Sequence, residues 1–99
     1  MAAITVAAQG AGMTLAAASG GGDTVTGGTR AGGWVAPGAP VLVVTVGATP
    51  TVVTVDGVAQ ASLTSQTAVY PLSGGIYNGR SIAVTYSQVT AVTVGAQVL

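Results

Sequence analysis

The sequence has very few ionisable side chains. Among its 99 residues there is no histidine, cysteine, lysine, glutamate or phenylalanine, and only 4% of the residues are charged. The formal net charge is zero, because the charged residues are Asp23, Arg30, Asp56 and Arg80. Soluble domains ordinarily carry about 25% charged residues. Since the surface depends on threonine, serine, glutamine and asparagine for polarity, we expect much of it to be covered in an assembly.

These absences exclude most kinds of chemistry. Without histidine or cysteine the chain has no imidazole or thiolate for a metal site or for catalysis, and it forms no disulfide. Asp23 with Asp56 is the one conceivable carboxylate pair, and nothing flanking either residue supports a glycosidase or an aspartic protease. Two arginines neutralise too few phosphates to hold a nucleic acid. We therefore predict a protein that is not an enzyme, needs no cofactor or metal and binds no nucleic acid.

The hydrophobic content raises the question of a membrane protein. Hydrophobic residues make up 49% of the chain, and the mean hydropathy is +0.72. The uncharged stretch from Ala31 to Val55 is long enough to cross a bilayer, but its three prolines and four glycines would break a helix repeatedly. The first 22 residues contain no basic residue and no helical period. We predict neither a membrane span nor a signal peptide.

Short β-branched runs alternate with turn-forming residues along the whole chain. This pattern predicts one all-β domain over residues 1–99, a small antiparallel β-sandwich or partly open barrel. In Ser81–Tyr86 the alternation is cleanest, with Ile82, Val84 and Tyr86 on the inward face. Val41–Val55 contains two β-branched runs around a four-residue break, which predicts a β-hairpin. Because Val41–Val44 is apolar on both faces, we expect a second sheet on one face and other cover, such as another chain, on the second.

The segments between these runs carry the turn and loop signals. Arg30–Pro40 is rich in glycine and proline and contains the only tryptophan, so we predict a long surface loop there. Asp56-Gly57 is a strong turn signal. Ser19–Asp23 is predicted to be a turn that Asp23 caps through its own backbone. The N-terminal segment is expected to become ordered on binding, and Gly95–Leu99 is expected to be a tail that adds to a sheet edge or lies on a partner.

Candidate interface residues are the aromatic residues in predicted loops and the charged residues. They are Trp34, Tyr77, Arg30, Arg80, Asp23 and Asp56. Tryptophan and arginine dominate the energetics of many interfaces. Trp34 has an alternative position, folded back to fill the core. Asp23 with Arg30 and Asp56 with Arg80 are possible ion pairs, either within one chain or across an interface.

Two segments carry a resemblance to a known family. GGGDTV spans Gly20–Val25, and VTYSQVTAVTV spans Val84–Val94. Small proteins rich in glycine, threonine and valine with these features are similar to head decoration proteins, also called cement or minor capsid proteins, of tailed bacteriophages, especially those of actinobacteria. The match covers under a fifth of the chain, and after Arg30 the sequence departs from the family pattern.

The resemblance implies a structural function on the virion. Such a protein lies on the outer capsid surface, is a homo-oligomer, often a trimer, and bridges subunits of the major capsid protein against internal pressure. Two alternatives remain open. One is a structural protein of the phage tail or neck. The other is a carbohydrate-binding or adhesin-like β-sandwich that uses Trp34, Tyr70, Tyr77 and Tyr86 as stacking platforms.

Overall fold

A computed structural model describes residues 2–7, 14–26, 40–71 and 81–98 of the chain, and these residues form β-strands and no helix. Within these ranges there is accordingly no helix that could span a membrane. In chain order the strands are β1 Ala2–Ala7, β2 Ala16–Ala17, β3 Asp23–Thr26, β4 Pro40–Val46, β5 Val53–Val55, β6 Val58–Ala59, β7 Gln66–Pro71, β8 Ser81–Tyr86 and β9 Val92–Val98. The strands form two sheets in a small β-sandwich, so the predicted fold class is confirmed.

One strand, β1, belongs to both sheets. In the first sheet the strand order is β6-β5-β8-β3-β1, and in the second sheet it is β1-β9-β4-β7, with β2 also beside β9. The N-terminal part of β1 pairs in parallel with β3, from Ala2↔Asp23 to Thr5↔Thr26. Its last residues pair in parallel with β9, at Val6↔Ala96 and Ala7↔Gln97. β1 therefore joins the sheets at one edge of the sandwich.

The core lies between the sheets and consists of aliphatic side chains from alternate strand positions. In β8 the predicted alternation is confirmed, because Ile82 and Val84 are buried while Ala83 and Thr85 are exposed. Members of the core include Ile4, Val6, Val25, Leu42, Val44, Val46, Val53, Val55, Leu63, Ile82, Val84, Val92, Val94 and Ala96. β-Branched side chains suit this arrangement, because they pack well on a pleated surface.

The predicted β-hairpin over Val41–Val55 is wrong. Strand β4 pairs with β7 and β9 in the second sheet, whereas β5 pairs with β6 and β8 in the first. The break between β4 and β5 is not a hairpin loop but a connection between the two sheets. Gly47 lies at its start, where its N–H donates to the Ala91 carbonyl at 3.1 Å.

The valines on the second face of β4 are buried without another chain. Leu42 and Val44 face the core, and both are fully buried. Val41 and Val43 point to the opposite face, yet they are only 5% and 9% exposed in the single chain. Burial of this face is therefore achieved at these two residues without a partner.

The turn signal at Asp56-Gly57 is confirmed. These two residues connect β5 to β6, with Val55 paired to Val58. Both have positive φ, 51° at Asp56 and 83° at Gly57, as a type I′ turn requires. A two-residue turn of this type matches the twist of the strands on either side.

The predicted tail at Gly95–Leu99 is neither at a sheet edge nor separate over residues 95–98, because β9 lies between β1 and β4. These residues continue β9, and the pairing with β4 runs through to Pro40↔Val98. Gly95 and Ala96 are buried. At the other end, residues 2–7 form β1. The predicted loop Arg30–Pro40 lies outside the described residues except for Pro40, which begins β4.

Candidate interaction surfaces

The structure describes two of the six candidate interface residues. Arg30, Trp34, Tyr77 and Arg80 lie outside the described residues, and so does one member of each suggested ion pair. Asp56 is exposed in the turn between β5 and β6. Asp23, in contrast, is only 1% exposed, so it lies inside the fold and is not a surface residue.

Asp23 begins β3 and connects the preceding turn to strand β8. Its Oδ2 accepts a hydrogen bond from the Ser19 N–H at 3.2 Å, so Asp23 caps the turn through its side chain and Ser19, and not through its own backbone as predicted. The same oxygen accepts a 2.7 Å hydrogen bond from the Tyr86 hydroxyl. Oδ1 is buried and has no hydrogen-bond partner. Residues 63 positions apart in the chain are thereby joined at the edge of the core.

The environment of Tyr86 keeps its hydroxyl protonated. Burial raises the pKa of Tyr86 far above its ordinary value of 10.0, and the hydrogen bond to Asp23 and the nearby carboxylate raise that pKa further. The phenol is therefore a permanent donor at neutral pH. A fixed donor facing a buried acceptor is an arrangement that holds a turn in place.

Tyr70 on β7 also packs against the core. Its hydroxyl is buried and has no hydrogen-bond partner, and burial raises the pKa of Tyr70 above 10.0. Both described tyrosines are half-buried and pack against the core. This packing does not favour their use as stacking platforms for sugars.

The outer face of the first sheet is built from short uncharged side chains. The strand register places Ala3, Thr24 and Ala83 side by side on three strands, and Thr54 beside Thr85 on the other side of β8. Ala3, Ala83 and Thr85 are exposed, and Thr24 and Thr54 are half-buried. Methyl and hydroxyl groups of this kind can be covered by a partner without desolvating a charge.

The outer face of the second sheet is also uncharged over its described residues. Thr67, Thr45 and Thr93 lie in one row across β7, β4 and β9, and the hydroxyls of Thr45 and Thr67 are 3.0 Å apart. Val69 is the large apolar residue of this face that reaches solvent, with 57% of its surface exposed. Val43 beside it is buried.

Sequence reasoning missed the partner of Asp23 and the open edge of the second sheet. The alternation pattern predicts the inward position of Tyr86 correctly. It does not predict a partner for the Tyr86 hydroxyl, because the pairing of β3 with β8 cannot be read from the sequence of either strand. The edge position of β7 likewise depends on strand order. The sequence contains one signal for the edge position of β7, because Pro71 ends this strand and proline within sheets is largely confined to edge strands.

Comparison with protein-family models, with curated proteins and with solved structures finds no match to this chain.

Proposed function

We propose that this chain is a structural protein of a bacteriophage virion, which binds the outer surface of the capsid and bridges subunits of the major capsid protein. In this role it stabilises the head and performs no reaction. The resemblance carried by Gly20–Val25 and Val84–Val94 implies a homo-oligomer, with a trimer as the usual form in such proteins.

The observation that carries the proposal is the way these two segments meet in the fold. Gly20–Val25 forms a turn and most of β3, and Val84–Val94 contains the end of β8 and the first half of β9. Asp23 pairs with Val84 across the strands, and its carboxylate accepts the Tyr86 hydroxyl. The residues that resemble decoration proteins therefore form one packed unit, which supports a shared fold and not a chance likeness of two short strings.

The surface chemistry gives independent support. A protein that clamps several subunits has to bury area on each of them, and several modest contacts add through multivalency. The outer face of the first sheet offers uncharged side chains from neighbouring strands, including Ala83 and Thr85. We assign the capsid contact to this face.

Binding to capsids tests the proposal directly. Purified chain would be mixed with capsids lacking it, and the bound copies would be located by cryo-electron microscopy. We expect regular density on the outer surface, approaching one copy per major capsid subunit. An absence of density on the head overturns the proposal. A few copies confined to the neck or tail would instead support the alternative, a structural protein of the phage tail or neck.

A pair of variants separates the assigned face from the function itself. Ala83→Glu adds a charge in the outer face of the first sheet, whereas Val58→Glu adds one at its edge, where Val58 is already 61% exposed. We expect Ala83→Glu to reduce capsid occupancy at least about tenfold, and Val58→Glu to leave it unchanged. Full binding by Ala83→Glu would overturn the assignment of this face and leave capsid binding standing.

The carbohydrate-binding alternative loses two of its four aromatic residues. Tyr70 and Tyr86 pack against the core. The other two, Trp34 and Tyr77, lie outside the described residues. A glycan array probed with the wild-type chain measures this alternative, and binding that disappears in Trp34→Ala would favour it.

A further inference from the structure

Among the described strands, β7 is the edge of the second sheet. One side of the strand pairs with β4 along its whole length, from Val41↔Pro71 to Val46↔Gln66. The strand order ends there, and no described strand lies on its other side. Alternate residues of an edge strand turn their backbone N–H and C=O groups outward, and these groups can pair with a further strand.

Within its six residues, β7 carries one of the features that usually prevent such pairing, Pro71 at its last position. Natural edge strands are commonly short, charged, interrupted by proline, twisted away by a bulge or covered. Strand β7 has six residues and no charged side chain, and its register with β4 is continuous. Four of its residues, Gln66, Thr67, Val69 and Pro71, are exposed. At the opposite end of the strand order, β6 has only two residues.

We propose that β7 pairs with β7 of a second copy of this chain, in antiparallel orientation around a two-fold axis centred on Val69. The pairing joins the second sheets of two copies into one continuous sheet. This inference does not depend on the proposed capsid function.

The register follows from the symmetry and is self-complementary. With the axis at Val69, this valine faces Val69 of the second copy on the outer face of the sheet. On the inner face, Ala68 lies opposite Tyr70 of the second copy, and Tyr70 lies opposite its Ala68. A small side chain thus meets a large one twice, as close packing of a shared layer requires.

The inner-face residues also have surface to gain from this contact. Ala68 and Tyr70 pack against the core but are only partly buried in the single chain. A strand added beside β7 would extend the core past them. This is the argument for a second copy over an unrelated strand, because this chain supplies the matching small and large residues at the matching positions.

Charge does not oppose the association. The strands β2, β4, β7 and β9 of the second sheet contain no charged residue, and the two described aspartates belong to the first sheet and its turn. Over the described residues, two copies can therefore approach edge to edge without bringing like charges together. The exposed residues on the outer face of the first sheet, Ala3, Ala83 and Thr85, stay available to another partner in such a dimer.

Sedimentation of matched variants tests the proposal. Val69→Lys places two ammonium groups opposite each other at the axis, whereas Val58→Lys makes the same substitution at a similarly exposed position, 61% against 57%, on the edge of the first sheet. We expect wild type and Val58→Lys to form dimers as concentration rises, and the dissociation constant of Val69→Lys to increase at least about tenfold. Thermal unfolding of both variants checks that the fold is intact.

Cysteine cross-linking tests the register independently, since the natural chain contains no cysteine. Val69→Cys should form a covalent dimer under mild oxidation, and Val58→Cys should form little. A wild type that stays monomeric at all concentrations overturns the proposal, as does a trimer that Val69→Lys leaves unchanged. Equal cross-linking of the two cysteine variants overturns the register and the axis position.

Discussion

Asp23 is buried although aspartate is rarely buried without partners. Its Oδ2 has two donors, the Ser19 N–H and the Tyr86 hydroxyl. The carboxylate is therefore satisfied on one oxygen by groups from two parts of the chain. At the scale of single residues, this contact connects the first turn to the last third of the sequence.

Removing the Tyr86 hydroxyl tests the strength of this contact. In Tyr86→Phe, Asp23 keeps the Ser19 N–H and loses its stronger donor while it remains buried. We expect the free energy of unfolding, measured by urea titration, to fall by about 1.5–3 kcal/mol, the usual range for a hydrogen bond to a charged group.

Tyr70→Phe is the matched control for this variant. The Tyr70 hydroxyl is buried and has no hydrogen-bond partner, so its removal deletes no bond. We expect the stability of this variant to equal or slightly exceed that of wild type, because a buried polar group without a partner is costly. Equal losses in both variants would show that the hydrogen bond to Asp23 is not the cause.

Alkaline pH gives a second measurement at the residue scale. The pKa of Tyr86 is raised above its ordinary value of 10.0 in the folded chain, so the unfolded chain releases the phenolic proton first. The stability contributed by neutral Tyr86 is complete below about pH 10 and is lost as the pH rises above it, by up to about 1.4 kcal/mol per pH unit. Urea titrations between about pH 9 and about pH 11 should show this decline.

In Tyr86→Phe the decline should be shallower but should not disappear, because the pKa of Tyr70 is also raised by burial. An identical decline in wild type and Tyr86→Phe would mean that Tyr86 ionises equally well in the folded and unfolded chains.

At the scale of elements, local pattern predicted strands better than it predicted their partners. The strict alternation in Ser81–Tyr86 fixed which side chains of β8 face the core. The same kind of pattern in Val41–Val55 identified two strands correctly but paired them wrongly. A side-chain period of two defines the faces of a strand, while its neighbours are decided by contacts between residues distant in sequence.

The end of the chain shows a second limit of local pattern. The sequence predicts a tail over residues 95–99, and Gly95 and Ala96 have weak strand preference. In the fold, Ala96 is buried between the sheets and Gly95 lies beside Val43. Pairing along β4 outweighs the weak local preference.

The sequence-based prediction of the candidate site succeeded only for local features. It identified Asp23 as a turn cap, and Asp56 as part of an exposed turn. It did not identify the Tyr86 partner of Asp23 or the exposed Val69 edge, since both depend on strand order.

The connection between the sheets depends on a close approach at Gly47. A Cβ at this position would lie 2.7 Å from the Cβ of Ala91, and the Gly47 N–H is bonded to the Ala91 carbonyl. We expect Gly47→Ala to lower the free energy of unfolding by about 1–3 kcal/mol, because the backbone has to move apart. Gly20→Ala is the control, since no atom lies within 4 Å of its added methyl group, and its stability in urea should match wild type.

At the scale of the whole molecule, the small number of charges governs how association responds to salt. Attraction between exposed charges is screened by added salt, whereas burial of uncharged groups is not weakened in this way. We expect the affinity for capsids to change less than about threefold between about 0.05 M and about 1 M sodium chloride. Titrations at several salt concentrations measure this, and a steep loss at high salt would indicate an ionic interface.

The shared strand β1 has a consequence for how the molecule is made. Its first residues pair with β3, but Val6 and Ala7 pair with β9, whose residues are the last described in the chain. Until residues 92–98 are synthesised, β1 and β4 each lack β9, the strand that lies between them. The two sheets are then not joined through β1. Completion of the fold therefore waits for β9, and the nascent chain has to keep its many valines from aggregating until that strand emerges.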